Sequence, residues 1–167
     1  LRDRFSGDQR VDGLEVDLDK PPVGDWTSFV SFNVLEHLVD DTAALAAAGR
    51  MVRPGGAVVT FAPAFPFALG KFDREIGHVR RYTLRSMHDA YARAGLSIER
   101  LHYVNAPGLV AWTIGMRLLR MTPKDGPVLR LWDRAVVPPA RSLERRIKPP
   151  FGQSVFVVGR SAARSLA

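Results

Sequence analysis

The sequence predicts an α/β domain whose sheet is largely parallel, and three observations carry that expectation. Apolar runs at residues 29–32 and 57–62 lack polar alternation, as strands covered on both faces do. Helix-length segments separate the strand candidates, a spacing that suits parallel crossovers. Polar residues gather where those strands should end: Asp17, then Asn33 with Glu36 and His37, then the loop after Ala62. The 167 residues and 46% hydrophobic content fit one soluble domain with a real core.

Residues 11–18, VDGLEVDL, read as a short strand ending at Asp17 and Asp19, stopped by Lys20-Pro21-Pro22. Phe29 to Phe32 form the next strand. Asp40 or Asp41 caps the Ala-rich helix that follows to about Val52, since a carboxylate accepts the unpaired N–H groups of a first turn. Arg53-Pro54-Gly55-Gly56 reads as a closing turn, with Gly55 supplying a positive φ. A strand over 57–62 then leads to a loop marked by Pro63 and Pro66. A helix starts after Thr83, buries Leu84, Met87, Tyr91 and Ala94, and stops at Gly95. Residues 98–104 form a strand. Pro107 to Met121 read as a helix, too short and too interrupted by Arg117 and Arg120 to span a membrane. An amphipathic helix using Leu129, Trp132 and Val136 ends at Pro138-Pro139, a shorter one holds Leu143 and Ile147, and residues 151–160 return as a last strand.

The net charge of +7 is concentrated: from Arg117 to Lys148 there are nine Lys or Arg against three acidic residues. Such a region can face phosphates or an anionic membrane, or be a solvated helical face. No aromatic-interleaved basic stripe supports nucleic acid. With no cysteine there is no disulfide framework, thiolate site or cysteine nucleophile, which fits a cytoplasmic location. Gly152-Gln153-Ser154-Val155-Phe156 is not a nucleophile elbow, and no tyrosine has a lysine four residues on. The four histidines lack H-x-x-x-H spacing, so no metal site is expected. Asp17-Leu18-Asp19 is a D-x-D at a strand end, which in a glycosyltransferase could hold a divalent cation.

Three phrases, NVLEHLVDD, RMVRPGGAVVTFAPA and FDREIGHVRRYT, together resemble the class I S-adenosylmethionine-dependent methyltransferases, from about Arg2 through the last strand. The resemblance implies a Rossmann-like methyltransferase sheet with a helical insertion at 107–149 before the last strand. It implies that Asp17 and Leu18 meet the adenine edge, that Asn33 and Val34 lie beside the methionine part, and that Glu36 and His37 line the pocket near the transferable methyl. The loop with Asp73, His78, Arg80, Arg81 and Tyr82 would fold over a small or lipid-like acceptor. His78 or His37 could take a hydroxyl proton, and Arg80, Arg81 and Tyr82 could bind an anionic group or instead pin the loop to neighbouring carboxylates.

The resemblance begins just before the family's third strand. The glycine-rich loop after its first strand, and the acidic residue ending its second, are not among these residues. A Leu start adds to the expectation of a piece of a longer enzyme, incomplete at the N-terminal half of the sheet, that alone aggregates or binds cofactor poorly. The alternatives are an inactive remnant, or an interaction module whose 107–149 region docks on a partner or lies on a membrane.

Overall fold

The computed structural model describes residue 17 and residues 20–22, 24–118 and 126–162. Apart from Asp17, the strand expected at 11–18 lies outside them, as do Leu18 and Asp19. Among the described residues four strands, β1 (Trp26–Phe32), β2 (Val52–Pro63), β3 (Leu96–Val104) and β4 (Ser154–Ser161), form one sheet in the order β1-β2-β4-β3. The β1–β2 pair is parallel, as the crossover predicts, while β4 runs antiparallel between β2 and β3. The returning strand thus lies inside the sheet instead of extending its edge.

Helix α1 (Asp41–Met51) starts where the sequence places it, with the Asp40 carboxylate accepting from the Ala43 amide at 2.8 Å. Helix α2 (Lys71–Glu75) is a short element within the loop after β2 that apolar periodicity did not mark. Helix α3 (Leu84–Arg93) is capped by Thr83, whose hydroxyl accepts from Ser86, and ends at Gly95, where φ is +74°. Helices α1 and α3 pack against one another and against one face of the sheet. Met87 and Tyr91 of α3 are fully buried there, and the Tyr91 hydroxyl donates to Thr60 Oγ1 at 2.7 Å.

The pleat directs the alternate residues away from those helices. Val30 and Phe32 pair with Val59 and Phe61. Val30 is 50% exposed and Phe32 61%, so this second face is apolar and incompletely covered.

Three expectations need correction. The turn at Arg53-Pro54-Gly55-Gly56 does not precede β2 but lies within it: Trp26 pairs with Val52 and Ser28 with Ala57, so the extra residues bulge out of the ladder, with Gly55 at φ +74°. The helix expected from Pro107 is α4 (Ala106–Trp112), which widens into a π-helix over Thr113–Leu118. Pro138 and Pro139 do not merely break a helix. They lie in the first turn of α6 (Val137–Arg146), one residue after α5 (Pro127–Ala135), where a missing N–H costs no intrahelical bond. Leu143 and Ile147, 59% and 63% exposed, are not held in a core.

His102 on β3 lies against Phe156, with ring centroids 5.3 Å apart and the rings tilted by 57°. Burial, reinforced by Lys148 and Arg100, holds its pKa below the usual 6.5. A depressed histidine favours the folded state above its ordinary pKa, and that contribution is lost as pH falls through the lower folded value. Stability to urea should therefore fall more steeply below pH 6.5 in the native chain than in His102→Gln; equal slopes would refute this.

Candidate functional site

At the C-terminal end of each of β1, β2 and β3 stands a residue with positive φ that is not glycine: Asn33 (51°), Phe65 (62°) and Asn105 (62°). Asparagine tolerates the left-handed region, whereas phenylalanine there is strained by roughly 1–3 kcal/mol. Each reverses the chain sharply, so the three loops open from the sheet edge along which open α/β sheets bind ligands. Asn33 is locked by its amide to Phe61 O at 2.9 Å, and Phe65 by its amide to Tyr82 O at 2.8 Å.

After Asn33 the chain forms a single 3₁₀ turn, Leu35–His37. With three residues per turn, consecutive side chains diverge by a third of a circle. Glu36 therefore points inward and is 0% exposed, while His37 faces outward. Neither Glu36 carboxylate oxygen accepts a hydrogen bond. Burial pushes the Glu36 carboxyl above its ordinary pKa, against its own amide and the nearby His78, His37 and Arg81.

Opposite this turn, the loop after β2 presents His78. Its Nδ1 lies 3.0 Å from Asp73 Oδ1, and its Nε2 lies 3.6 Å from Glu36 Oε1. Asp73 is fully buried, yet it is held below the usual carboxylate pKa: burial would raise it, but the Gly70 amide and the Arg81 guanidinium outweigh that. An ionised carboxylate only accepts, so the proton of the Asp73–His78 bond belongs to Nδ1. Arg81 donates to Asp73 Oδ1 from Nε and Nη2 at 3.0 and 2.7 Å and to Ala64 O from Nη1, and its guanidinium lies 4.9 Å over the Trp112 ring. The His37 ring meets that of His78 edge-on, with centroids 4.6 Å apart. Gly77, at φ +87°, makes the turn that brings His78 there; a Cβ on it would lie 3.4 Å from His37 Nδ1.

Adjacent Arg80 faces the other way. It pairs with Asp41 at 2.7 Å and donates to Val39 O at 2.6 Å, and the Tyr82 hydroxyl donates to the same Asp41 carboxylate at 3.0 Å. Burial, with the charge and hydrogen bond of Asp41, pushes the Tyr82 phenol above its ordinary pKa. Arg81 and Tyr82 are buried and joined to carboxylates, while the Arg80 side chain remains about a third exposed (32%).

Beside this edge a cleft of about 380 Å³ opens between Phe61 and Val104 at the strand ends and Arg141, Glu144, Arg145 and Lys148. Glu144 ties α6 to the sheet, accepting from the amides of Asn105 and Ala106 at 2.9 and 3.0 Å.

The structure brings Glu36, His37 and His78 together and places Asn33 and Val34 at the exposed end of β1. Asp73 as the clamp between His78 and Arg81, Trp112 beneath that arginine and Glu144 at α4 are roles that sequence reasoning missed. The only signal for the first was an acidic residue five positions before His78. Pairing across the sheet edge, which sets the others, leaves no local pattern.

No protein-family model matches the chain, and no curated protein does. Solved structures match it throughout. Geranyl diphosphate methyltransferase in complex with S-adenosylmethionine superposes with a TM-score of 0.59 at 15% identity, covering 96% of this chain and 62% of that one. The putative methyltransferase of Haloferax volcanii, solved with the activator Trm112, gives 0.55 at 15%, covering 89% and 61%. The [4+2]-cyclase SpnF gives 0.56 at 17%, covering 97% and 60%. The chain therefore spans about three-fifths of each of these proteins.

Proposed function

Because this chain has the fold of the class I S-adenosylmethionine-dependent methyltransferases, we propose that it belongs to an enzyme that methylates a hydroxyl of a small or lipid-like acceptor, with S-adenosylmethionine as donor. The fold also serves a cyclase, so the fold alone does not give the reaction and the site must support it. The observation that carries it is the Asp73–His78 pair beside the end of β1.

The end of β1 fits one wall of a cofactor site. Asn33 turns left-handed there, and Val34 (44% exposed) offers apolar surface beside an amide. Asn33 and Val34 would hold the methionine part, and Asp17 with Leu18 the adenine edge. When bound, S-adenosylmethionine supplies an electrophilic methyl on a sulfonium. The remaining task is to align an acceptor oxygen and remove its proton. Asp73 fixes the His78 ring with its Nδ1 protonated, which leaves Nε2 to accept a proton from the acceptor. His37, on the solvent side, relays it outward. Arg81 acts through Asp73 as a positioning residue, and Arg80, already paired with Asp41, would meet an anionic group only through the third of its side chain that is exposed. In the full-length protein, His78→Gln should lower turnover by about 100-fold or more; unchanged turnover in both His78→Gln and His78→Ala would remove the base role.

The lipid-like class of acceptor rests on α5 and α6. Leu131, Leu143 and Ile147 are exposed on the same two helices and their end as Arg130, Arg134, Arg141 and Arg145, beside the cleft. No helix among the described residues is long and apolar enough to cross a membrane, and the mixed apolar and basic faces of α5 and α6 suit contact with a membrane surface. Anionic vesicles should float the protein in low salt and release it in high salt; no flotation at any salt would leave a water-soluble acceptor.

A further inference from the structure

We infer that Glu36, His37 and His78 form a binding site for one divalent cation of the zinc type, at which the acceptor hydroxyl is held. The inference rests on the proposed methyl transfer for its chemistry but replaces its base, since a cation on His78 Nε2 takes the lone pair that would have accepted the proton; the metal site itself stands on geometry alone. One ligand atom from each of the three residues lies within 4.8 Å of the others.

Four features of this group point to a cation. Glu36 is wholly buried with both carboxylate oxygens unsatisfied, an arrangement that is costly unless a cation or proton completes it. The partner within reach, His78 Nε2, is 3.6 Å away, too long for a hydrogen bond. That separation is close to the edge of a tetrahedron around zinc, which is about 3.4 Å for ligand bonds near 2.05 Å. Finally, His78 presents Nε2 because its Nδ1 is bound to Asp73, the carboxylate–histidine pairing that orients and strengthens metal ligands.

The donor set gives the metal class. Two imidazoles and one carboxylate suit zinc, iron or cobalt, whereas calcium and magnesium favour oxygen shells. His37 must swing inward to complete the set, and as an exposed side chain on the outer side of its turn it has room to do so. Three protein ligands leave a fourth position for an outside oxygen. A hydroxyl ligated there loses its proton more readily, and that proton passes to solvent. The oxygen lone pair then forms the C–O bond while the sulfonium C–S bond breaks and its electron pair stays on sulfur.

The test is titration of chelator-stripped full-length protein with Co²⁺, followed by its ligand-field absorption, with circular dichroism to verify the fold of each variant. One equivalent should bind saturably and be displaced by Zn²⁺. Glu36→Gln and His37→Gln should each weaken binding by at least about tenfold, and His88→Gln, on an exposed surface, should not. Absence of saturable uptake by the folded protein, or unchanged affinity in Glu36→Gln and His37→Gln, would overturn the site. Titration with S-adenosylhomocysteine separates the two proposals: cofactor binding without Co²⁺ uptake discards the metal and keeps histidine as the base, whereas Co²⁺ uptake without cofactor binding keeps the metal and discards methyl transfer.

Discussion

Arg81→Met is expected to destabilise the fold by about 3–5 kcal/mol, measured as the loss of unfolding free energy in urea. The Arg81 side chain is 2% exposed and that of Asp73 0%, so the pair has exchanged water almost wholly for protein partners, chiefly one another. Methionine keeps much of the volume over Trp112 but removes both bonds to Asp73 and the one to Ala64 O. The Asp73 charge then remains buried with only the Gly70 amide and His78. Lysine should recover little, because a point charge cannot reproduce the fork that reaches Asp73 and Ala64 together. Asp73→Asn combined with Arg81→Met should recover part of the loss, since no uncompensated charge then stays inside; a double variant as unstable as the sum of the singles would refute the pairing.

The same pair sets an acid sensitivity. Asp73 is held below its ordinary 3.8, so its contribution is present above that value and is lost as pH falls through the lower folded pKa. Without the guanidinium the folded pKa rises, and acid unfolding of Arg81→Met should begin at a higher pH than in the native chain.

Tyr91→Ala should be comparably severe, about 3–5 kcal/mol, by emptying a site with no route to collapse. The ring is 0% exposed and lies against Gly159 of the interior strand β4, and its hydroxyl donates to Thr60. Burial pushes the Tyr91 phenol above its ordinary pKa, so it remains a donor across the working range. Gly159→Ala has the complementary defect, because a Cβ there would stand 2.6 Å from the Tyr91 ring. In the double variant the new methyl enters the space the ring left, so the combined cost should fall below the sum. Strict additivity would mean that ring and glycine do not share the site.

Local chemistry was legible in the sequence and long-range placement was not. Asp40, Thr83 and Gly95 mark helix ends because a cap acts within one turn, and each does in the structure what its residue type dictates. The insertion of β4 between β2 and β3 depends on contacts across 50 residues or more, which no local pattern encodes. At the candidate site, the motifs flagged a turn and a loop whose side chains the structure brings together, but not the direction of each side chain. Arg80 and Arg81 are neighbours of identical chemistry, and only the fold sends one to Asp41 and the other to Asp73. Glu36 and His37 likewise diverge only because their turn has three residues per revolution.

The apolar sheet face around Val30 and Phe32 has a thermal consequence. Covering it transfers apolar surface out of water, so any association there should show a negative heat-capacity change in calorimetry. Such burial is driven by entropy near room temperature and weakens on cooling. Complexes formed through this face would accordingly be cold-labile, assembling on warming and loosening on ice, whereas the charged contacts of α5 and α6 would respond chiefly to salt.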